Sequence, residues 1–221
     1  MKVVFVLPLC TSHTCLRLMP KPIIQKKSAE SRFWEWFQQN DDHLFDFETN
    51  PELLVGQIVR ELQRVHASLT CEISSVQDGK REFIISADGK RDAFPAVVRL
   101  GDTAPALARW EVIKFRPRRS EPCMVGIGDM SFSSDDVQFT LEPEGGKIGV
   151  TLYLGDNEHF DEQAVGYIGF LLLDYMLGEY DVETLVGSVQ FVPQGIPSKE
   201  KKRLLPELPA LFDTLVKSLA N

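Results

Sequence analysis

The chain has 221 residues, of which 43% are hydrophobic and 25% charged, and a net charge of −8 at pH 7. These proportions exclude a disordered chain and allow a substantial core that folds without a staple. The charge is uneven: residues 135–183 hold twelve acids against a single base, Lys147, a local charge of −11 that repels phosphate backbones and argues against nucleic acid as a partner of that half.

Four cysteines, Cys10, Cys15, Cys71 and Cys123, form no C-x-x-C pair. Neither a zinc site, a redox pair nor a disulfide is implied, and a reducing cytoplasm is the expected compartment. Residues 1–9 (MKVVFVLPL) superficially resemble a signal peptide. The apolar run is short, however, no small-x-small cleavage site follows, and bulky Leu9 precedes Cys10 where a lipoprotein signal carries a small residue. Residues 1–31 read as a poorly ordered leader, with translation from Met19 as an alternative that removes residues 1–18. No membrane span is expected, because the most apolar stretch, residues 164–177, is short for one and contains Asp174.

Residues 32–39 (RFWEWFQQ) predict a short aromatic helix with Phe33 and Phe37 on one face and Trp34 and Trp36 beside it. Such a helix either closes over a core or, on a sharper reading, binds a partner. Asn50, Pro51 and Glu52 form a helix start, with a capping side chain, a proline at the first position and an acid in the first turn, and Leu54, Ile58, Leu62 and Val65 continue it as one apolar stripe.

Leu69, Cys71 and Ile73 then alternate with polar residues, Asp78-Gly79 turns the chain, and a second strand runs over residues 81–87. A helix near residues 94–101 and a strand at residues 110–116 (WEVIKFR) follow. The second half repeats this order, with an alternating pair around Glu144-Gly145-Gly146, an apolar helix over residues 161–177, a strand at residues 185–192 and a last helix from about Pro209. The expected fold is therefore α+β: one unit over residues 32–221, with two similar hairpin-helix-strand lobes at about 50–118 and 135–221 forming mainly antiparallel sheet packed by helices.

Two places are candidate sites. Lys114 and Arg116 share a strand face with Trp110, a cationic surface suited to an anionic ligand or an acidic loop; the plain alternative is an exposed strand face or a sheet edge protected by charge. Asp174, Glu179, Asp181 and Glu183 gather around the predicted end of the long helix, where four carboxylates could hold a hard cation; the plain alternative is a solvated turn after a Gly178 cap. The basic runs at residues 109–119 and 199–203 read as solvated surface charge. The four histidines, His13, His43, His66 and His159, have no zinc spacing, and no nucleophile elbow, Walker loop or dinucleotide fingerprint occurs. No cofactor is implied, and nothing sets the oligomeric state. Gly166 and Gly169 read as a close-packing pair.

The segments RFWEWF (residues 32–37), DGKREFIISADG (78–89), RWEVIKFRPRR (109–119) and LLLDYMLGEYDVET (171–184) resemble a group of uncharacterised bacterial proteins. The resemblance covers most of the chain after about residue 31. It implies a single α+β unit and transfers no catalytic residue.

Two functions are consistent with these features. One is a non-enzymatic binding or regulatory protein that engages a basic protein partner through the acidic lobe and the aromatic helix. The other is a small hydrolase or metal-dependent enzyme that uses Asp174, Glu179, Asp181 and Glu183 as acid, base or ligands.

Overall fold

The computed structural model describes residues 27–156 and 161–219. Expectations for residues 1–26 lie outside them. In chain order the elements are α1 (Ala29–Gln39), α2 (Asp41–Phe45), α3 (Pro51–Gln63), β1 (Thr70–Ile73), β2 (Arg81–Ser86), α4 (Phe94–Asp102), β3 (Trp110–Lys114), β4 (Met124–Ile127), β5 (Met130–Ser133), β6 (Gln138–Glu144), β7 (Lys147–Tyr153), α5 (Glu162–Leu177), α6 (Glu179–Leu185), β8 (Val186–Val192), β9 (Arg203–Leu204) and α7 (Leu208–Leu219).

The class is α+β and the hairpin-helix-strand order occurs twice. In the first lobe β1 and β2 pair antiparallel, α4 carries the chain back, and β3 joins β2 in parallel with Trp110 opposite Arg81. In the second, β6 and β7 pair antiparallel, α5 and α6 intervene, and β8 joins β7 in parallel; β9 adds two residues on the far edge to give the order β8-β7-β6-β9. A helical crossover is what allows a parallel neighbour, whereas the hairpins need only tight turns. Asp78 and Gly79 both take positive φ, +51° and +76°, as the predicted turn demands. A ribbon of β4 and β5, turned at Gly128, lies between the lobes in sequence and was not among the predicted elements.

Each lobe has its own core. The first gathers Phe33, Trp34 and Phe37 of α1 with Ile58, Phe83, Ile85 and Trp110; the second gathers Phe139, Leu152, Ile168, Leu172 and Phe212. Ser28 caps α1 by accepting from the Ser31 N–H. Phe33, Trp34 and Phe37 are then 2%, 3% and 0% exposed, and the Trp34 indole donates to the Leu100 carbonyl at 2.9 Å. The aromatic helix therefore closes the core, and its suggested part in partner binding is withdrawn. Gly166 and Gly169 do permit close packing: the Phe191 ring lies against α5 at both.

Leaving β3, Phe115 adopts φ +65°, unusual for a residue with a bulky side chain, while its N–H donates to the Ile85 carbonyl at 2.8 Å. Its ring packs against Phe94 and Tyr180. This kink ends the strand's alternation and directs the following residues toward the second lobe.

Candidate functional site

Residues 115–119 (FRPRR) join the first lobe to the second, and all three arginines are engaged along the seam. The Arg119 N–H donates to the Tyr175 carbonyl at 2.7 Å, and its guanidinium pairs with Glu82. Arg118 donates through Nε to the Leu177 carbonyl at 2.6 Å and pairs with Asp181 and Asp213. Arg116 spreads its nitrogens over three carboxylates, with Nε to Glu72, Nη1 to Asp174 at 3.1 Å and Nη2 to Asp88 at 3.3 Å. Burial works against the Arg116 charge, but Glu72, Glu179 and Asp174 outweigh it and hold the guanidinium above its ordinary value. The expected solvated charge run is thus an inter-lobe fastener at these three positions.

Across the seam, the segment expected as a solvated turn is the helix α6, with Gly178 (φ +83°) at the junction with α5. Glu179 is fully buried. Its Oε1 accepts from the Ala87 N–H at 2.9 Å and the Gly89 N–H at 3.3 Å, and its Oε2 accepts from the Arg116 N–H at 3.1 Å. One carboxylate thereby satisfies three backbone donors of the first lobe, donors that would otherwise be orphaned.

Asp174 stands beside it, 8% exposed. Burial pushes its carboxyl up to about 7; Arg116 pulls it down, while Glu179 and Glu183 push it further up. The positive charge at this point falls short of the negative. A cleft of about 270 Å³ opens there, lined by Tyr167, Phe170 and Leu171 of α5, the Asp88-Gly89 turn, Arg116, Asp174 and Glu183. Tyr167 and Phe170 are 53% and 45% exposed, and Glu183 accepts from Arg91.

The four predicted carboxylates are therefore dispersed among different partners. Asp174 and Glu183 line the cleft, Glu179 is enclosed behind it, and Asp181 pairs with Arg118. Among the described residues no three His, Cys, Asp or Glu side chains are grouped so as to hold a metal ion. The cationic trio is also divided. Trp110 is buried against Phe37 and Phe45 and donates from its indole to Asp41; Lys114 lies along Gly101 of α4 and pairs with Asp102 at 2.6 Å; Arg116 belongs to the seam. Trp110 and Lys114 do share a strand face, but Trp110 is buried in the first core and Lys114 is exposed and paired. Glu179 and Asp88 acquire their roles from backbone groups and an arginine distant in sequence, for which the local pattern carried no signal.

Compared with protein-family models, with curated proteins and with solved structures, the chain matches none. No helix among the described residues is long and apolar enough to cross a membrane.

Proposed function

We propose that the protein is a non-enzymatic binding or regulatory protein that engages a basic protein partner through its second, acidic lobe. The observation supporting this reading is the division among that lobe's carboxylates. Asp174, Glu179 and Asp181, facing the first lobe, are engaged by Arg116, Arg118 and backbone donors, whereas Asp135, Asp136 and Glu142 are exposed on a segment whose single base is Lys147. Complementary charge at such a surface speeds encounter and excludes wrong partners. The test is affinity capture on the full chain at about 0.1 M and about 1 M salt, between which the screening length falls from about 10 Å to about 3 Å. A basic, stoichiometric partner released by salt, and lost when Asp135, Asp136 and Glu142 are changed to lysine, supports the reading. The absence of any salt-sensitive partner refutes it.

A second reading, a small hydrolase, is favoured by one observation: a carboxyl held near neutrality in a cleft is suited to proton transfer. Its proposed partner groups are otherwise engaged, Glu179 with three backbone donors and Asp181 with Arg118. Turnover of ester or phosphoester probes by the full chain, abolished in Asp174→Asn, would put this reading first.

A further inference from the structure

The chain twice places its own arginine where an aromatic ring meets a carboxylate. Arg81 lies 5.0 Å from the Phe45 ring centre and 4.8 Å from that of Phe47 while pairing with Glu48; Arg109 lies 4.4 Å from the Phe45 centre while pairing with Asp41 and Asp42. Planar, weakly hydrated guanidinium groups stack on ring faces and bond carboxylates at the same time, which compact ammonium groups do less well.

The inter-lobe cleft has the same two kinds of wall but no such cation. Tyr167 and Phe170, three residues apart on α5, present half-exposed rings to it, and among the described residues no cationic side chain lies over either. Asp88, Asp174 and Glu183 line the cleft with Arg116; Glu72 and the buried Glu179 also act on the Arg116 charge, and Arg91 pairs with Glu183, so that five carboxylates share two guanidiniums. The local balance is negative even with Asp174 protonated.

We propose that this cleft binds an arginine side chain of a peptide ligand, its stem and guanidinium packed on Phe170 and Tyr167 and its charge opposed by Asp174 and Glu183. The basic-partner reading bears on this only as the source of the arginine; the cleft can be tested by itself. A metal ion does not fit, since the carboxylates are not grouped as ligands, whereas a cation on an apolar stem uses both walls.

Uptake of the guanidinium draws Asp174 into its ionised form. The groups facing Asp174 are Arg116 from the connecting segment and Glu179 and Glu183 from α6, with Glu72 and Asp88 sharing Arg116. With Asp174 half-titrated at about 7, affinity rises about tenfold from pH 6 to pH 8 and levels off above.

The experiment is calorimetric titration of the full chain with N-acetylarginine amide, and with the uncharged isostere N-acetylcitrulline amide. Saturable one-to-one binding of the arginine probe, no binding of the citrulline probe, and a tenfold or greater loss in Phe170→Ala and Asp174→Asn are expected. Tyr167→Ala, at a half-exposed position, provides a second variant should Phe170→Ala perturb folding. Failure to saturate, equal binding of both probes, or unchanged affinity in the ring variants overturns the proposal. If the probe binds but no basic protein is captured, the cleft stands and the protein-partner reading falls; if a basic protein is captured but the probe does not bind, the reverse holds.

Discussion

Arg116 and Glu179 hold each other twice across the seam: the Glu179 N–H donates to the Arg116 carbonyl at 3.0 Å, and Glu179 Oε2 accepts from the Arg116 N–H at 3.1 Å. With Ala87 and Gly89 on Oε1, this one side chain closes the backbone accounts of two separate loops of the first lobe. The seam is thereby built from main-chain geometry as much as from charge, and main-chain donors cannot rotate away when the acceptor is lost.

Glu179→Ala is accordingly expected to destabilise the fold by about 3 kcal/mol or more, since each buried donor left unsatisfied costs about 1–3 kcal/mol. Urea unfolding followed by tryptophan fluorescence measures it. A loss no larger than that of Glu200→Ala, an exposed loop position, would show that the carboxylate is dispensable.

Asp174 gives stability a pH dependence of opposite sign to that of an ordinary salt-bridged aspartate. Its folded carboxyl is raised from 3.8 to about 7, so between those values the folded state binds more protons than the unfolded state and stability falls as pH rises. The penalty is absent below about pH 4 and complete above about pH 7, with an upper magnitude on the order of 4 kcal/mol at 1.36 kcal/mol per pH unit. Asp174→Asn should flatten this slope, gaining relative to the parent at pH 8 over pH 5. Parallel stability curves for the two proteins would refute the assignment.

The sequence revealed the repeated order of elements, because Asp78-Gly79 and Gly145-Gly146 mark turns by local chemistry and Phe139, Leu141, Val150 and Leu152 alternate in period two. It did not reveal that β3 and β8 run parallel to their neighbours, since the period of a strand is the same in either direction. The seam was hidden for a different reason. A buried glutamate such as Glu179 and a solvated one look alike locally when the donors that satisfy it, at Ala87 and Gly89, lie some 90 positions away. Arg116, Arg118 and Arg119 likewise have the local pattern of a charge run, because nothing nearby in sequence shows Glu72, Asp213 or Glu82 as their partners.

Gly166 and Gly169 should respond oppositely to alanine. A Cβ at Gly169 would fall 2.1 Å from the Phe191 ring, whereas one at Gly166 would meet it at 3.9 Å, an ordinary contact. Gly169→Ala is expected to cost about 1–3 kcal/mol by overpacking, and Gly166→Ala to gain up to about 1 kcal/mol from reduced unfolded-state entropy and better helix propensity. Thermal unfolding of both variants tests this. Adding Phe191→Leu should restore much of the Gly169→Ala loss, and failure to do so would mean that the ring is not what the glycine accommodates.

Arg116→Met separates the roles of the carboxylates around that guanidinium. Glu72 and Asp88 are about half exposed at their side chains and can return to water, but Asp174 retains only 11% side-chain exposure and would be left with no direct cationic partner. Breaking a buried pair from one side costs about 3–5 kcal/mol while the remaining group stays charged. At pH 8 the parent Asp174 is mostly ionised, and the variant can escape the uncompensated charge by protonating it, so the extra loss over pH 5 is limited to about 1.4 kcal/mol, one pH unit above about 7; at pH 5 the group is already protonated, and the loss should shrink toward that of the neutral hydrogen bonds alone. Loss of Arg116 also removes the pull that lowers Asp174, so the midpoint of the pH dependence should move above 7 in the variant. Denaturant unfolding at pH 5 and pH 8 decides it: equal losses at the two values would mean that Arg116 acts through Glu72 and Asp88, and that Asp174 is not the charge it compensates.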